Sequence, residues 1–141
     1  MPKPKILFFL ICASLIVNCN DIHQVMPSVP VNVILHTDTD LANLGIGNTI
    51  VCPKAGGYMG IIIFRNGYDE YYAFERTCTN FPNDTSAVVA EKGDVIAKCP
   101  KCGSNFIFTA NGALVSTGPA RFPLKQYRTY LDPSKRLYIS N

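Results

Sequence analysis

Apolar and polar positions alternate with a period of two along most of the chain, the pattern of half-buried strands. Val31, Val33 and Leu35 alternate with Asn32, Ile34 and His36, which predicts a strand with one buried face and one mixed face. A turn-rich piece, 37–48, leads to a short second strand at 49–52. The Gly56-Gly57 pair marks a bend before Ile61-Ile62-Ile63-Phe64, a run apolar on both faces and therefore a central strand. Asn66-Gly67 predicts a tight hairpin, because both residues tolerate positive φ and a type I′ turn matches strand twist. The return strand, 71–75, delivers Cys78 just past its end.

Further along, 87–90 and 95–98 flank Glu91-Lys92-Gly93-Asp94, and that hairpin delivers Cys99. Segments 105–109 and 113–116 pair around Asn111-Gly112, and 125–131 with 136–139 close the chain around Asp132-Pro133-Ser134. Tyr68, Tyr71, Tyr72, Tyr127, Tyr130 and Tyr138 have strand spacing, which suits cross-strand packing. No helical period appears after residue 18. The predicted fold class is all-β, a sandwich or small barrel of short antiparallel strands.

The first 18 residues break this pattern. Lys3 and Lys5 precede the apolar run Ile6 to Val17, a secretory signal with a basic start and a core too short to span a bilayer. Ile16-Val17-Asn18-Cys19 resembles a bacterial lipobox and makes Cys19 the acylated first residue of the mature chain. Residues 19–30, with two prolines and no periodicity, form a lipidated tether, and His23 is an exposed residue within it. The organisation is therefore 1–18 signal peptide, 19–30 tether and 31–141 β domain, in the cell envelope on the periplasmic or cell-surface side.

Composition narrows the chemistry. A chain of 141 residues, 48% hydrophobic and 16% charged, has room for one domain with a modest core. Without the signal the chain carries 11 basic and 10 acidic residues, a net charge of +1, and no basic stripe to displace counterions, so nucleic acid is excluded as a partner. There is no Ser-His-Asp set and no phosphate-binding loop, and nothing places two carboxylates at catalytic separation. The expected protein is not an enzyme. Of six cysteines, Cys12 leaves with the signal and Cys19 is lipidated. Cys52, Cys78, Cys99 and Cys102 remain where disulfides persist, with three possible pairings.

Cys78-Thr79-Asn80, then 18 residues (81–98), then Cys99-Pro100-Lys101-Cys102-Gly103-Ser104 resembles the two boxes of the Rieske [2Fe-2S] family. In that family the boxes read Cys-x-His and Cys-x-x-His-Gly-Ser. A Gly-Pro-Ala loop and a Pro-Leu-x-x-Tyr segment follow, matched here by Gly118-Pro119-Ala120 and by 123–127. The resemblance runs from Gly60 to the C-terminus, more weakly from Val31, and implies a Rieske-like fold of the envelope-lipoprotein type. The two histidine positions hold Asn80 and Cys102. A Rieske centre needs two imidazoles on one iron, and an amide oxygen is a poor replacement.

The resemblance leaves several readings of the cysteines open. Turns that are adjacent in a Rieske fold imply a disulfide staple, foremost Cys78 with Cys102, leaving Cys52 and Cys99 to pair or to remain free. Such a staple stabilises a small domain by roughly 3 kcal/mol. Alternatively Cys78, Cys99, Cys102 and a fourth ligand such as Cys52 hold an all-thiolate [2Fe-2S] cluster, or the same thiolates hold zinc, or Cys99 and Cys102 act as a thiol-disulfide pair. The expectation taken forward is a module without cofactor, stapled by disulfide, anchored to a membrane and bound to an envelope protein. Electron transfer through a cluster is its alternative.

Overall fold

A computed structural model describes residues 26–141 apart from Lys92; the signal segment, Cys12, Cys19 and His23 lie outside the described residues. Ten strands follow one another: β1 (Asn32–His36), β2 (Asn48–Val51), β3 (Ile61–Arg65), β4 (Tyr71–Glu75), β5 (Val89–Ala90), β6 (Ile96–Lys98), β7 (Asn105–Thr109), β8 (Gly112–Thr117), β9 (Gln126–Leu131) and β10 (Arg136–Ser140). Six form a sheet in the order β1-β10-β9-β4-β3-β2, and four form a second in the order β5-β6-β7-β8, with every pairing antiparallel. Among the described residues there is no helix. The all-β expectation holds.

The alternation of side chains builds two cores. In β1, Val33 and Leu35 are buried and Asn32, Ile34 and His36 exposed, as their spacing predicts. They pack with Leu41, Leu44, Leu137 and Ile139. Strand β3 is buried on both faces because each takes part in a different core: Ile61 and Ile63 join the first, Ile62 and Phe64 the second. The second core fills the space toward the smaller sheet with Phe74, Phe106, Phe108 and Val88, and Cys78 and Cys99 belong to it. Phe108 stands between Phe64 and Phe74, ring centroids 6.1 and 5.4 Å away, in offset or tilted contacts that aromatic quadrupoles favour.

Two local expectations are corrected. Asn66-Gly67 does not make a two-residue type I′ turn: β3 and β4 pair out to Arg65 and Tyr71, so the loop has five residues, and neither Asn66 nor Gly67 has positive φ. Side chains decide the longer form. The Arg65 guanidinium donates to the carbonyls of Gly67 at 3.1 Å and Tyr68 at 2.9 Å, while the Glu70 carboxylate accepts from the Asn66 amide at 2.7 Å. Tyr68 therefore projects from the loop, 83% exposed, and does not pack across strands. The strand expected at 87–90 shortens to Val89–Ala90, because Thr77 takes Ala87 into an isolated bridge and Arg76 O accepts the N–H of Val88.

One buried charge joins these parts. The Glu75 carboxylate, at the end of β4, is fully buried and accepts five hydrogen bonds. Its donors are the N–H groups of Tyr58 (2.6 Å), Met59 (2.9 Å) and Thr77 (3.0 Å), and the hydroxyls of Thr77 (2.9 Å) and Tyr127 (2.6 Å). Burial pushes its pKa up, but the Tyr127 hydroxyl and the backbone donors outweigh burial and hold it below the usual carboxylate range. Gly57 makes the approach possible: at φ 75° it turns the loop against the carboxylate, and a Cβ there would lie 2.5 Å from Oε2. Because the folded pKa lies below the unfolded one, the stabilisation is present above about pH 4.3 and fades as pH falls through the folded value. Glu75→Gln is expected to cost about 2–3 kcal/mol at pH 7 in urea unfolding, and to remove part of the acid-side loss of stability. An unchanged pH profile in that variant would show that Glu75 is not the titrating group.

Candidate functional site

Three loops meet beyond the ends of β4 and β6. The first leaves β4 and is held to the chain beyond it: Cys78 N–H donates to Ser86 O at 3.0 Å, and Phe81 N–H donates back to Cys78 O at 3.0 Å. The second is the turn between β6 and β7, closed by Cys99 N–H to Ser104 O at 2.8 Å and Gly103 N–H to Cys99 O at 2.9 Å. The third is the Gly118-Pro119-Ala120 loop. Ala120 N–H donates to Ser104 Oγ at 3.0 Å, and a Cβ on Gly118, whose φ is 99°, would lie 2.4 Å from Ser104 Cα. Thr79 Oγ1 donates to Phe122 O at 2.6 Å, tying the first loop to the third, and Lys101 forms an ion pair with Asp84 between the first two.

At their meeting point lie Cys78, Cys99 and Cys102, with all three sulfurs within 4.8 Å of one another. Cys78 Sγ and Cys102 Sγ are 3.6 Å apart. Cys78 and Cys99 are fully buried, whereas Cys102 is partly exposed, so the group reaches solvent on the Cys102 side. The surroundings are built for sulfur. Asn80 N–H donates to Cys78, the N–H groups of Cys102 and Lys101 donate to Cys99, and Ser86 Oγ lies 3.5 Å from Cys99 Sγ. Cys102 Sγ is 3.1 Å from Ser104 Oγ.

These contacts divide the buried pair electrically. Burial, with the neighbouring Cys99 and Cys102, pushes the Cys78 thiol up to about 12. Burial also acts against ionisation of Cys99, but the Cys102 N–H, the Ser86 hydroxyl, the Cys78 thiol and the Lys101 N–H outweigh it and bring that thiol down to about 7. Ionisation is therefore easier at Cys99 than at Cys78.

No protein-family model and no curated protein matches the sequence. Solved structures do. A chain of the complex of reduced oxygenase and oxidized ferredoxin in carbazole 1,9a-dioxygenase superposes with a TM-score of 0.52 at 18% identity, covering 78% of this chain and 93% of that one. The fold is Rieske-like. The ferredoxin of carbazole 1,9a-dioxygenase from Nocardioides aromaticivorans IC177 is similar at 20% identity over 79% of this chain and 97% of that one, with a TM-score of 0.45. At such identities the likeness concerns the fold alone.

The donor set at the three loops does not fit a Rieske centre. That centre requires two neutral imidazoles on one iron, and among the described residues the histidine is His36, on the edge strand β1 of the larger sheet. Asn80 donates its backbone N–H to Cys78. An all-thiolate [2Fe-2S] cluster needs four sulfurs, and the fold brings three together. Cys52, expected as fourth ligand or as partner of Cys99, packs against the first core, while Cys99 belongs to the second; burial pushes the Cys52 thiol up, against the N–H of Lys54. No two of the four described cysteines are bonded to one another in this structure.

Ser86 and Glu75 have no part in the sequence expectation of the site, and Ser104 and Tyr127 enter it only through the box and Pro-Leu-x-x-Tyr patterns, without the contacts they make here. The Gly-Ser after Cys102 and the Tyr of the Pro-Leu-x-x-Tyr segment were visible signals for two of them. Gly118→Ala is expected to lower stability by about 1–3 kcal/mol in thermal unfolding, because its Cβ meets backbone that cannot swing away. Gly103→Ala has open space around its Cβ and adds only left-handed strain of about 1–2 kcal/mol. Equal losses at the two positions would show that the Gly118 contact relaxes freely.

Proposed function

We propose that this chain is a bacterial envelope lipoprotein whose Rieske-like domain serves as a binding or assembly module, not an enzyme, and carries a thiol site in place of a Rieske centre. The observation that supports the thiol site is the 3.6 Å approach of Cys78 Sγ and Cys102 Sγ on two different turns, while the anchor rests on the sequence pattern around Cys19. A disulfide needs about 2.05 Å, so a movement of roughly 1.6 Å closes the bond. Each thiol then gives up one proton and one electron to an envelope disulfide oxidant. In the resemblance to Rieske boxes, Cys102 and Asn80 stand where the imidazoles would be, and the exchange of a ligand for a thiol is what makes the staple available.

The anchor fits the same geometry. Met26 lines a groove with Thr79, Pro82, Phe122 and Leu124, so the described chain enters the domain beside the first cysteine turn. Cys19 lies seven residues earlier, a reach of no more than about 25 Å. Acylation at Cys19 therefore holds the cysteine end close to the membrane, where an envelope partner meets it.

Convergence of three sulfurs favours one other reading, electron transfer through a [2Fe-2S] cluster on Cys78, Cys99 and Cys102 with a fourth ligand from outside the described residues. Intact mass of anaerobically prepared mature protein, native and denatured without reductant, separates the two. A metal-free chain lighter by two hydrogens than the reduced chain supports the staple; a native chain heavier by two irons and two sulfides, with free thiols after denaturation, overturns it. For the anchor, Cys19→Ala is expected to move the protein from the membrane to the soluble fraction, and persistent membrane binding would remove the lipobox reading.

A further inference from the structure

The spacing of the three sulfurs matches one metal ion better than two. A tetrahedral zinc-like ion with bonds of about 2.3 Å places its sulfur ligands about 3.8 Å apart. Here one pair is 3.6 Å apart and all three lie within 4.8 Å, so a single central ion needs shifts of an ångström or less. A diiron cluster divides its protein ligands between two irons, and the pairs stand on opposite sides of it.

We propose that the reduced form of this domain binds one thiophilic divalent cation of the zinc class through Cys78, Cys99 and Cys102, with the fourth position open to solvent beside Cys102. The proposal rests on the reading that the site holds no iron-sulfur cluster. The three cysteines bind as thiolates, giving up the protons they still carry, and leave a net charge of −1 on the centre with a divalent ion. Backbone dipoles face that charge: Asn80 N–H on Cys78, and Lys101 and Cys102 N–H on Cys99. Ser104 serves the third sulfur. Its hydroxyl oxygen already accepts Ala120 N–H, so its own proton is free to turn toward a Cys102 thiolate 3.1 Å away. Two sulfurs come from buried residues and two from one four-residue turn, which fixes the ligands before the ion arrives. The Cys78–Cys102 disulfide consumes two of the three ligands, so oxidation and metal occupancy exclude each other.

The test uses full-length mature protein in detergent, reduced anaerobically with a phosphine, freed of reductant and titrated with Co²⁺ and then Zn²⁺. Expected are one Co²⁺ per chain with an intense thiolate-to-cobalt band, displacement by Zn²⁺, and three sulfurs at about 2.3 Å in the zinc absorption spectrum. Cys102→Ser is expected to weaken binding by at least about tenfold and Cys52→Ser to leave it unchanged. Should a serine variant unfold, the stoichiometry and sulfur count of the unmodified protein decide alone. Absence of the band with all thiols counted free, or two ions per chain, overturns the proposal. Diamide, which takes two electrons and two protons from a thiol pair, separates the two ideas. Loss of binding as a disulfide forms supports both, whereas metal binding without any diamide-induced disulfide sinks the staple and leaves the ion. Iron and sulfide in the anaerobic preparation sink the cluster-free reading itself.

Discussion

Burying a carboxylate costs several kcal/mol unless its lone pairs are taken up, and Glu75 is buried without any ion pair among the described residues. Its charge is held instead by five oriented donors, each a charge-assisted hydrogen bond stronger than its neutral counterpart. The donors come from three separate places: the loop before β3, the segment after β4, and Tyr127 on β9. Losing any one position leaves the charge under-solvated. The cluster thus acts as a register pin: it fixes how β9 meets β4, where the pairing covers only Ala73 with Tyr127 and Phe74 with Gln126.

The cysteine end inherits this constraint. Thr77 gives two of the five hydrogen bonds and precedes Cys78, so the first turn starts from a fixed point two residues after the carboxylate's own strand position. Across from it, the second turn is fixed by its own backbone bonds and by Ser104, which takes the Ala120 N–H of the third loop. Rigid loops therefore deliver the sulfurs, which is what a site with preset geometry requires.

Sulfur chemistry at this end is set by its burial and by directed N–H groups together. Burial alone would raise every thiol pKa, yet the Cys102 N–H, the Ser86 hydroxyl, the Cys78 thiol and the Lys101 N–H together reverse the sign at Cys99. Burial, with two sulfur neighbours against a single such donor, holds the Cys78 thiol well above the usual range. The result is an unequal set of thiols in a small volume, suited to soft-ion ligation or to disulfide exchange and unlike the imidazole-rich surroundings of a Rieske centre.

The sequence by itself determined the all-β class, the positions of most strands and the two cysteine turns. Those features arise from local alternation and from glycine and proline placement, which act over a few residues. Runs such as Ile61 to Phe64 announce burial on both faces whatever surrounds them. The hairpin at Asn66-Gly67 misled because Arg65 and Glu70 offered the loop side-chain bonds stronger than turn propensity. Only tertiary structure decided that Cys52 stays apart from the other three. Cys52 is as much a cysteine as Cys102, but sheet order sends it to the other core. Tyr127 and Glu75 stand 52 residues apart, and a partnership at that separation has no trace in local pattern because it depends on how β9 crosses to β4.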